Sequence, residues 1–370
     1  MSAPPATLRE RTAEPADAGD IYKARWRLEV GLRDMSTSKM DKRAPMRVEI
    51  REFQPQDYGR LVEISNRIEP EHRETVEEAR YYDEHFDRSK YFFRRYVAVD
   101  PATREVVATA ECHHMPWNFH PQKYATWIGV DPDWQRRGIG SALYERVLAE
   151  IRERDGIAAR TSVRENEKAS LNFVRHRGFA ERLRNWESHL DVTTFDFSRF
   201  AGKEREPEGI RIVTLETELK RDPECIRQVF DLANAIMPDV PMPDPYTPAS
   251  YDMFISDIQG PTALHDGYYL AMAGDAYVGL SNLWRSKGEK DSLFQGLTGV
   301  LREYRGRGIA WALKLRTIAY ARDHGYRKIM TWNNTENKSI LAINDRLGFA
   351  RQPAWVTFEK DLTGTSGPGR

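Results

Sequence analysis

Apolar residues along the chain follow two kinds of spacing, alternation in short runs and helical spacing in longer ones, and both recur in the same order twice. Alternating runs predict strands, and apolar residues three and four apart predict amphipathic helices. The first series predicts strands at 47–53, 94–99, 105–113, 124–130, 157–163 and 185–192, and helices at 56–67, 74–86, 139–153 and 167–177. The second series predicts strands at 210–215, 267–273, 276–284, 294–300, 327–332 and 355–361, and helices at 223–236, 249–258, 308–323 and 338–346.

This order of elements predicts two domains of one fold class. Helices that interrupt a mixed sheet indicate a layered α/β (α+β) fold, and a chain of 370 residues suits two domains better than one. The predicted domains are 46–197 and 210–363, joined by a polar, charged linker at 198–209. Residues 1–45 are rich in Ala, Pro and charge, which predicts a disordered leader with one short helix near 21–32, and residues 364–370 are predicted to be a flexible tail.

A basic, glycine-containing turn lies between a predicted strand and a predicted helix in each series. Residues 129–143 and 299–313 align without a gap, 170 residues apart. Such a turn presents the unpaired N–H groups of the helix start in one direction, and the helix dipole adds partial positive charge there. Glycine lets the backbone approach a ligand closely, so the two turns predict two cradles for anionic phosphate groups.

At these turns, and at a second duplicated feature, the chain resembles the GNAT acyl-CoA N-acyltransferases. The family's acetyl-CoA motif, Gln/Arg-x-x-Gly-x-Gly/Ala, occurs once around Gly138 and once around Gly308. The second feature, an Asn before a helix that ends in Gly-Phe, occurs as Asn166 with Gly178-Phe179 and as Asn337 with Gly348-Phe349. The resemblance implies two tandem GNAT folds, each a mixed central sheet with helices on both faces, and the layout is also similar to that of mycothiol synthases.

The resemblance implies acetyl-CoA as cosubstrate, with its pantetheine arm between the fourth and fifth strands of each half. In the first half it assigns to acetyl-CoA residues Ile128, Gly129, Val130, Gln135, Arg136, Arg137, Gly138, Ile139, Gly140, Ser141 and Asn166. In the second half it assigns Thr298, Gly299, Val300, Arg305, Gly306, Arg307, Gly308, Ile309, Ala310, Trp311 and Asn337. A backbone N–H at the strand end, at Val130 or Val300, could then donate to the thioester oxygen.

The chain departs from the family at the groups that move protons. Many members carry a Tyr four residues before the glycine of Gly-Phe, where it can protonate the CoA thiolate, whereas Val174 and Asn344 stand there in this chain. The strand before each turn also lacks an evident carboxylate base. The catalytic candidates are Glu111, His113 and Tyr124 in the first half and Asn337, acting through an ordered water, in the second. A solvated strand end is the simpler interpretation of the first-half group.

Two features near the predicted sites concern the acceptor and the cradle. The proline-rich loop at 237–248 joins two helices that cover the acceptor groove in the GNAT fold, and its Asp239 and Asp244 could attract a cationic amine. A rigid surface linker is an equally good interpretation of this loop. Trp311 stands where the first copy has Ser141, and its bulk could narrow the second cradle.

Composition narrows the function classes further. The chain has 56 basic and 56 acidic residues, which gives no support for nucleic acid or a membrane surface as the partner. Cys112 and Cys225 form neither a disulfide framework nor a metal-ligand spacing, so the sequence predicts no metal cofactor and a reducing, cytoplasmic location. No run of 18 apolar residues occurs.

The sequence as a whole predicts an acetyl-CoA-dependent N-acetyltransferase acting on a small-molecule primary amine. Both halves are expected to bind acetyl-CoA. The second half is expected to be the catalyst, because its segment 337–349 is nearer the family pattern. Two alternatives stay open, a mycothiol-synthase-like acetylation of a cysteinyl amine and an acyl-CoA-binding sensor or scaffold without turnover. The acceptor's identity and the oligomeric state are left open by the sequence.

Overall fold

The computed structural model describes residues 30–31, 46–285 and 288–364. Its helices are α1 (Tyr58–Ile68), α2 (Val76–His85), α3 (Ile139–Arg152), α4 (Lys168–Arg175), α5 (Leu215–Arg221), α6 (Cys225–Ile236), α7 (Tyr251–Gln259), α8 (Ile309–Asp323) and α9 (Lys338–Leu347). Its strands are β1 (Val30–Gly31), β2 (Glu49–Glu52), β3 (Phe93–Val99), β4 (Val106–His113), β5 (Lys123–Val130), β6 (Ala158–Arg164), β7 (Ala180–Asp191), β8 (Arg211–Thr214), β9 (Ala263–Ala273), β10 (Ala276–Arg285), β11 (Ser292–Val300), β12 (Lys328–Asn334), β13 (Ala350–Arg351) and β14 (Trp355–Asp361). Among these helices none is both long enough and apolar enough to cross a membrane.

The strands form one continuous sheet that contains both halves. Its order is β2-β3-β4-β5-β6-β14-β7-β12-β11-β10-β9-β8, with the two-residue strands β1 and β13 paired to β5 and β7. The first-half strands β2 to β6 therefore lie on one side and the second-half strands β8 to β12 on the other. Within each half the antiparallel meander ends in a parallel pair, β5 with β6 and β11 with β12.

The two halves exchange their final long strands at the middle of the sheet. Strand β14, the last of the chain, pairs antiparallel with β6 from Trp355 opposite Arg164 to Asp361 opposite Ala158. Strand β7, which belongs to the first series, pairs with the whole of β12. Each half thus completes its sheet with a strand of the other, and a chain cut near residue 205 would leave an unpaired β-edge on both fragments.

Helices cover both faces of the sheet, as the packing of alternate residues on β3 and β9 indicates. On β3, Tyr96 and Ala98 pack in the same buried cluster as α3, whereas Val97 and Val99 pack in the cluster that contains α1. On β9, Ala271 packs with α8, while its neighbours pack with α6. Side chains alternate between the faces of a strand, so both faces carry a core. The predicted mixed sheet with helices on both faces is confirmed.

The sequence missed some elements whose formation depends on tertiary contacts. Helix α5 was not predicted; Thr214 caps it, and its first residue, Leu215, is fully buried. Strand β7 begins at Ala180 rather than near 185, because its polar first residues pair with β14. The predicted leader helix near 21–32 lies largely outside the described residues. Of that segment only Val30–Gly31 is described, as a strand on β5.

Candidate active site

The cleft of the second half opens where β11 and β12 diverge. These strands pair in parallel only over 292–294, opposite 328–330. Beyond that point β11 stays paired with β10, and β12 stays paired with β7. The gap between them is a cavity of about 110 Å³, lined by 295–298 from β11 and by 331–334 from β12. First-half residues, among them Trp117 and Asn185, close its far side.

A β-bulge lies on β11 at the mouth of this divergence. Ser281 of β10 pairs with Thr298, and Leu283 pairs with Gln295. Between these two pairs β11 advances by three residues and β10 by two. Gly296 and Leu297 have no partner in that register, and a bulge leaves its extra backbone groups without a ladder partner. The corresponding pair in the first half, β4 with β5, runs without such a shift. The bulge on β11 is therefore a backbone irregularity of the second cleft that the described β4–β5 pair of the first half does not share.

The two predicted cradles have the same backbone geometry. Gly138 and Gly308 have φ values of 84° and 85°, and each immediately precedes its helix, α3 or α8. Two residues earlier, Arg136 has a φ of 66° and Gly306 a φ of 76°. A turn in which left-handed residues alternate with right-handed or extended ones before a helix directs several N–H groups toward one point and forms an anion-binding concavity. The first motif residue supports each turn: Gln135 Nε2 donates to the carbonyl of Val130 at 3.1 Å, and Arg305 Nε donates to that of Val300 at 3.0 Å.

The first-half cradle borders a cavity of about 240 Å³. Its lining includes most of the predicted residues, namely Ile128, Val130, Gln135, Arg136, Gly138, Ile139, Gly140 and Ser141. Arg177 was not predicted, yet its guanidinium donates to Ser141 Oγ at 2.6 Å and lies over the ring of Phe173, which lines the same cavity. Burial lowers the pKa of Arg177. The repeat concealed this residue, because Leu347 occupies its position in the second copy.

In the first half the chain itself pairs with the strand predicted to hold pantetheine. Val30 and Gly31 run parallel to β5, opposite Ile128 and Gly129. They lie beyond the point at which β5 and β6 separate, since those strands pair only from Lys123 to Ala125. The glycine turn of this half therefore borders an open cavity, whereas the edge of β5 at 128–129 is paired with β1.

The first-half catalytic candidates are buried in contacts with other protein groups. Glu111 forms an ion pair with Arg95, whose guanidinium also contacts Asp83. His113 Nδ1 is 2.9 Å from the carbonyl of its neighbour, and its ring stacks on Phe93. The Tyr124 hydroxyl donates to the carbonyl of Pro121 at 3.3 Å, and burial raises its pKa. These three side chains are not among those that line the cradle cavity.

The two predicted asparagines differ in their surroundings. Asn337 is the N-cap residue of α9 and lines the second cleft. Asn166 is exposed. Asn344, at the position of the family's Tyr, is buried, and its Nδ2 donates to Asn333 Oδ1 at 2.7 Å. Its counterpart Val174 belongs to the first-half core. The structure therefore brings Asn337, but not Asn166, to a cleft.

The predicted acceptor aspartates are paired with cations of the chain. Asp239 contacts Arg302 and Arg305, which hold the pKa of its carboxyl well below the usual range. Asp244 contacts Lys123 and Arg160 of the first half, and its pKa is also lowered. The proline-rich loop at 237–248 connects α6 to α7 and bonds across to the first-half segment around Asn118. These contacts fasten the loop over the second cleft.

Trp311 lies at the start of α8, but its ring packs toward the linker. Phe200 stacks on it at 5.9 Å between ring centroids, and Lys203 Nζ lies 4.7 Å from its centroid. Arg307, a neighbour in the same turn, donates to the carbonyl of Glu208 at 3.0 Å. The linker at 198–209 is therefore attached to the second cradle.

A smaller cavity, of about 50 Å³, adjoins the second cleft on the α6–α7 side and was not predicted. It shares Met237 and Leu297 with the cleft. Asp257 is the acidic residue among those that line it. Asn282 Oδ1, which faces Gly296, is buried with no hydrogen-bond donor among the described residues. Neither residue stands in a sequence motif, so only the folded arrangement identifies them.

Comparison with known proteins agrees with this geometry. The model of the Acetyltransferase (GNAT) family matches residues 58–179 and again 227–349. A GCN5-related N-acetyltransferase from Sphaerobacter thermophilus superposes with a TM-score of 0.64 at 18% identity, covering 89% of this chain and 98% of its own. A tandem GNAT protein from the clavulanic acid biosynthesis pathway gives 0.69 at 18% identity, covering 88% and 100%. A comparison with curated protein sequences finds no match. The chain belongs to the GNAT acetyltransferase family and carries its fold twice in tandem.

Proposed function

We propose that this protein transfers an acetyl group from acetyl-CoA to a primary amine of a small molecule, and that the second half catalyses the transfer. The bulged, divergent β11 carries this proposal. It combines an open cleft, two backbone residues outside the β10 register and an adjoining cavity on the acceptor side, whereas the described β4–β5 pair of the first half has no register shift.

The roles of the second-half residues follow from this arrangement. The turn from Arg305 to Ala310 binds the pyrophosphate of acetyl-CoA, and the pantetheine arm lies between β11 and β12. A backbone N–H of Gly296 or Leu297 donates to the thioester oxygen, inward of the Val300 position that the sequence suggests. Such a donor contributes about 10²–10³ in rate, because it acts on charge that develops in the transition state.

The amine is proposed to enter through the α6–α7 cavity. Asn282 Oδ1 and the carboxylate of Asp257 are oxygen acceptors suited to its N–H groups. The nitrogen attacks the thioester carbonyl, the new C–N bond forms, and the C–S bond breaks. The nitrogen loses one proton, and the departing CoA thiolate gains one; a water held by Asn337 is the proposed relay. Asp239 and Asp244 support this site by fastening the loop that covers it.

The first half is proposed to bind CoA without turnover. Its cradle cavity is large enough to admit a phosphate group, and Arg136 and Arg177 supply positive charge. Pantetheine can pair with β5 only after Val30–Gly31 leaves it. Glu111 and His113 are engaged in buried contacts, which favours the sensor or scaffold alternative for this half.

Acetylation of a cysteinyl amine remains the alternative for the second half. Cys112 and Cys225 are buried free thiols, in keeping with the proposed cytoplasmic setting.

Native mass spectrometry with acetyl-CoA tests the proposal, together with release of CoA thiol across a panel of amines that includes cysteinyl glucosamine. Gly308→Val should abolish thiol release and remove one bound acetyl-CoA, because a β-branched residue is strained at a φ of 85°. Gly138→Val is the matched control, since Gly138 has the same φ in the first cradle. It should leave thiol release intact. Turnover that survives Gly308→Val would refute the assignment to the second half.

A further inference from the structure

Lys314 is a buried cation that the proposed reaction does not use. Lys314 lies on α8, is only 1% exposed to solvent, and lines the second cleft. Its Nζ lies 4.8 Å from the ring centroid of Phe349, and no hydrogen bond or ion pair to a described residue involves it. The first copy carries Tyr144 at this position, so the lysine is not required by the fold of the helix.

The lining of the second cleft offers this cation no counter-ion. None of the described residues that line the cavity is Asp or Glu. Arg160, the other cation there, is already paired with Asp244 and Glu359. A second donor in the same cavity is also unsatisfied: Asn185 Nδ2 is buried with no acceptor among the described residues.

A buried ammonium without a partner is destabilising, and it is retained where something else benefits from it. Two unsatisfied donors in a cavity with no acidic lining call for a ligand that brings acceptor oxygens and negative charge. We propose that Lys314 binds a carboxylate of the ligand in the second cleft, so that this half acts on a substrate that carries a carboxylate. This inference rests on the proposed function and names the substrate class of the same site.

The protonation of Lys314 agrees with this role. Burial lowers the pKa of Lys314 from 10.5 to about 7. A carboxylate that enters beside it would restore the charged form, because an opposite charge within a few ångströms favours ionisation. Burial thus favours the neutral amine, and a bound carboxylate would favour the charged ammonium and form an ion pair with it.

The carboxylate could belong to the acyl group or to the acceptor, and binding measurements separate the two. Succinyl-CoA and butyryl-CoA have acyl chains of equal length and differ in the terminal carboxylate. Titration of the full chain with each should show succinyl-CoA binding at least about tenfold more tightly, since a charge-assisted hydrogen bond contributes roughly that much. For an acceptor source, the same ratio should appear between amino acids and their amides in the presence of saturating CoA.

Lys314→Met is the decisive variant, because it keeps the volume and removes the charge. It should bring either ratio to about one, because only the carboxylate-bearing ligand loses an ion pair. Tyr144→Phe, the equivalent position of the first copy, should leave the ratio as it is. Lys314→Gln serves as a second variant if the methionine form does not fold. Equal binding of charged and neutral ligands by both the wild type and Lys314→Met would overturn this inference alone. Absence of any acyl-CoA binding would overturn the proposed function with it.

Discussion

Gly296 is the residue of the β11 bulge at which a single added methyl group should disturb the second cleft. A Cβ there would lie 2.5 Å from both Asn282 Oδ1 and Trp284 Nε1, closer than packed atoms tolerate. Gly296→Ala should therefore displace the bulge and lower kcat/KM by about 10²-fold, the usual effect of a shift of about 1 Å at a reacting centre. Steady-state kinetics with any active amine measures this. Gly140→Ala is the control, because its Cβ would meet its nearest neighbour at 3.5 Å, an ordinary contact. Equal activity of the two variants would contradict the prediction.

The residues that the sequence could identify are those whose role is local. Gly138 and Gly308 stand in a repeated turn, and their left-handed backbone follows from that turn alone. Lys314 and Asn282 acquire their roles from burial against distant elements, which no spacing along the chain encodes. From the sequence, Asp239 was interpreted as an acid available to bind an amine. In the folded chain it forms an ion pair with Arg302, which is distant in sequence.

The first cradle is an element that carries backbone strain the second avoids. Arg136 has a φ of 66°, a left-handed conformation that is unfavourable for a residue with a Cβ, and the second turn has Gly306 there. Arg136→Gly should raise the free energy of unfolding by about 0.5–1 kcal/mol, since the strain relieved exceeds the added freedom of the unfolded chain. Urea denaturation measures the change. Gly306→Arg, the reciprocal exchange, should lower it by a similar amount. Stabilisation by both, or by neither, would show that φ at this position does not govern the turn.

Elements with strong internal periodicity were predicted to within a few residues, and those defined by a neighbour were not. Helix α8 was predicted at 308–323 and begins at Ile309. Strand β7 was predicted too short, because its first residues are polar and acquire strand geometry only by pairing with β14. The bulge of β11 depends on how β10 pairs with it, and a single strand's sequence does not show that.

At the scale of the whole molecule, the exchanged strands make the two halves one structural unit. β14 lies between β6 and β7, so a second-half segment completes the first-half sheet. A separate half would therefore lose part of its core as well as its partner. The question of which half catalyses is accordingly best addressed with point variants in the full chain, and the sequence repeat gave no sign of the exchange.

The junction of the halves also contains a titratable cluster that should set the response of the whole chain to alkali. Glu187 on β7 is buried between His72 of the α1–α2 segment and Trp355 of β14, whose Nε1 donates to it at 2.8 Å. His72 Nε2 lies 3.2 Å from Glu187 Oε1, and Glu69 lies 3.7 Å from His72 Nδ1. These carboxylates outweigh burial and raise the pKa of His72 from 6.5 to about 9, while the pKa of Glu187 is held well below its usual range.

A histidine whose folded pKa is raised stabilises the protein fully below its unfolded pKa, and the contribution is lost as pH rises from 6.5 through about 9. At about 1.4 kcal/mol per pKa unit, the loss is at most about 3.5 kcal/mol. Urea denaturation at pH 6, 7.5 and 9 should show wild-type stability falling along this range. In His72→Gln, which keeps a donor but does not titrate, the fall should be smaller by that amount. His189 and Arg164 also contact Glu187 and keep it ionised in the variant. Parallel curves for wild type and variant would mean that His72 is already neutral in the folded chain, and that the halves are held together by strand pairing without help from its charge.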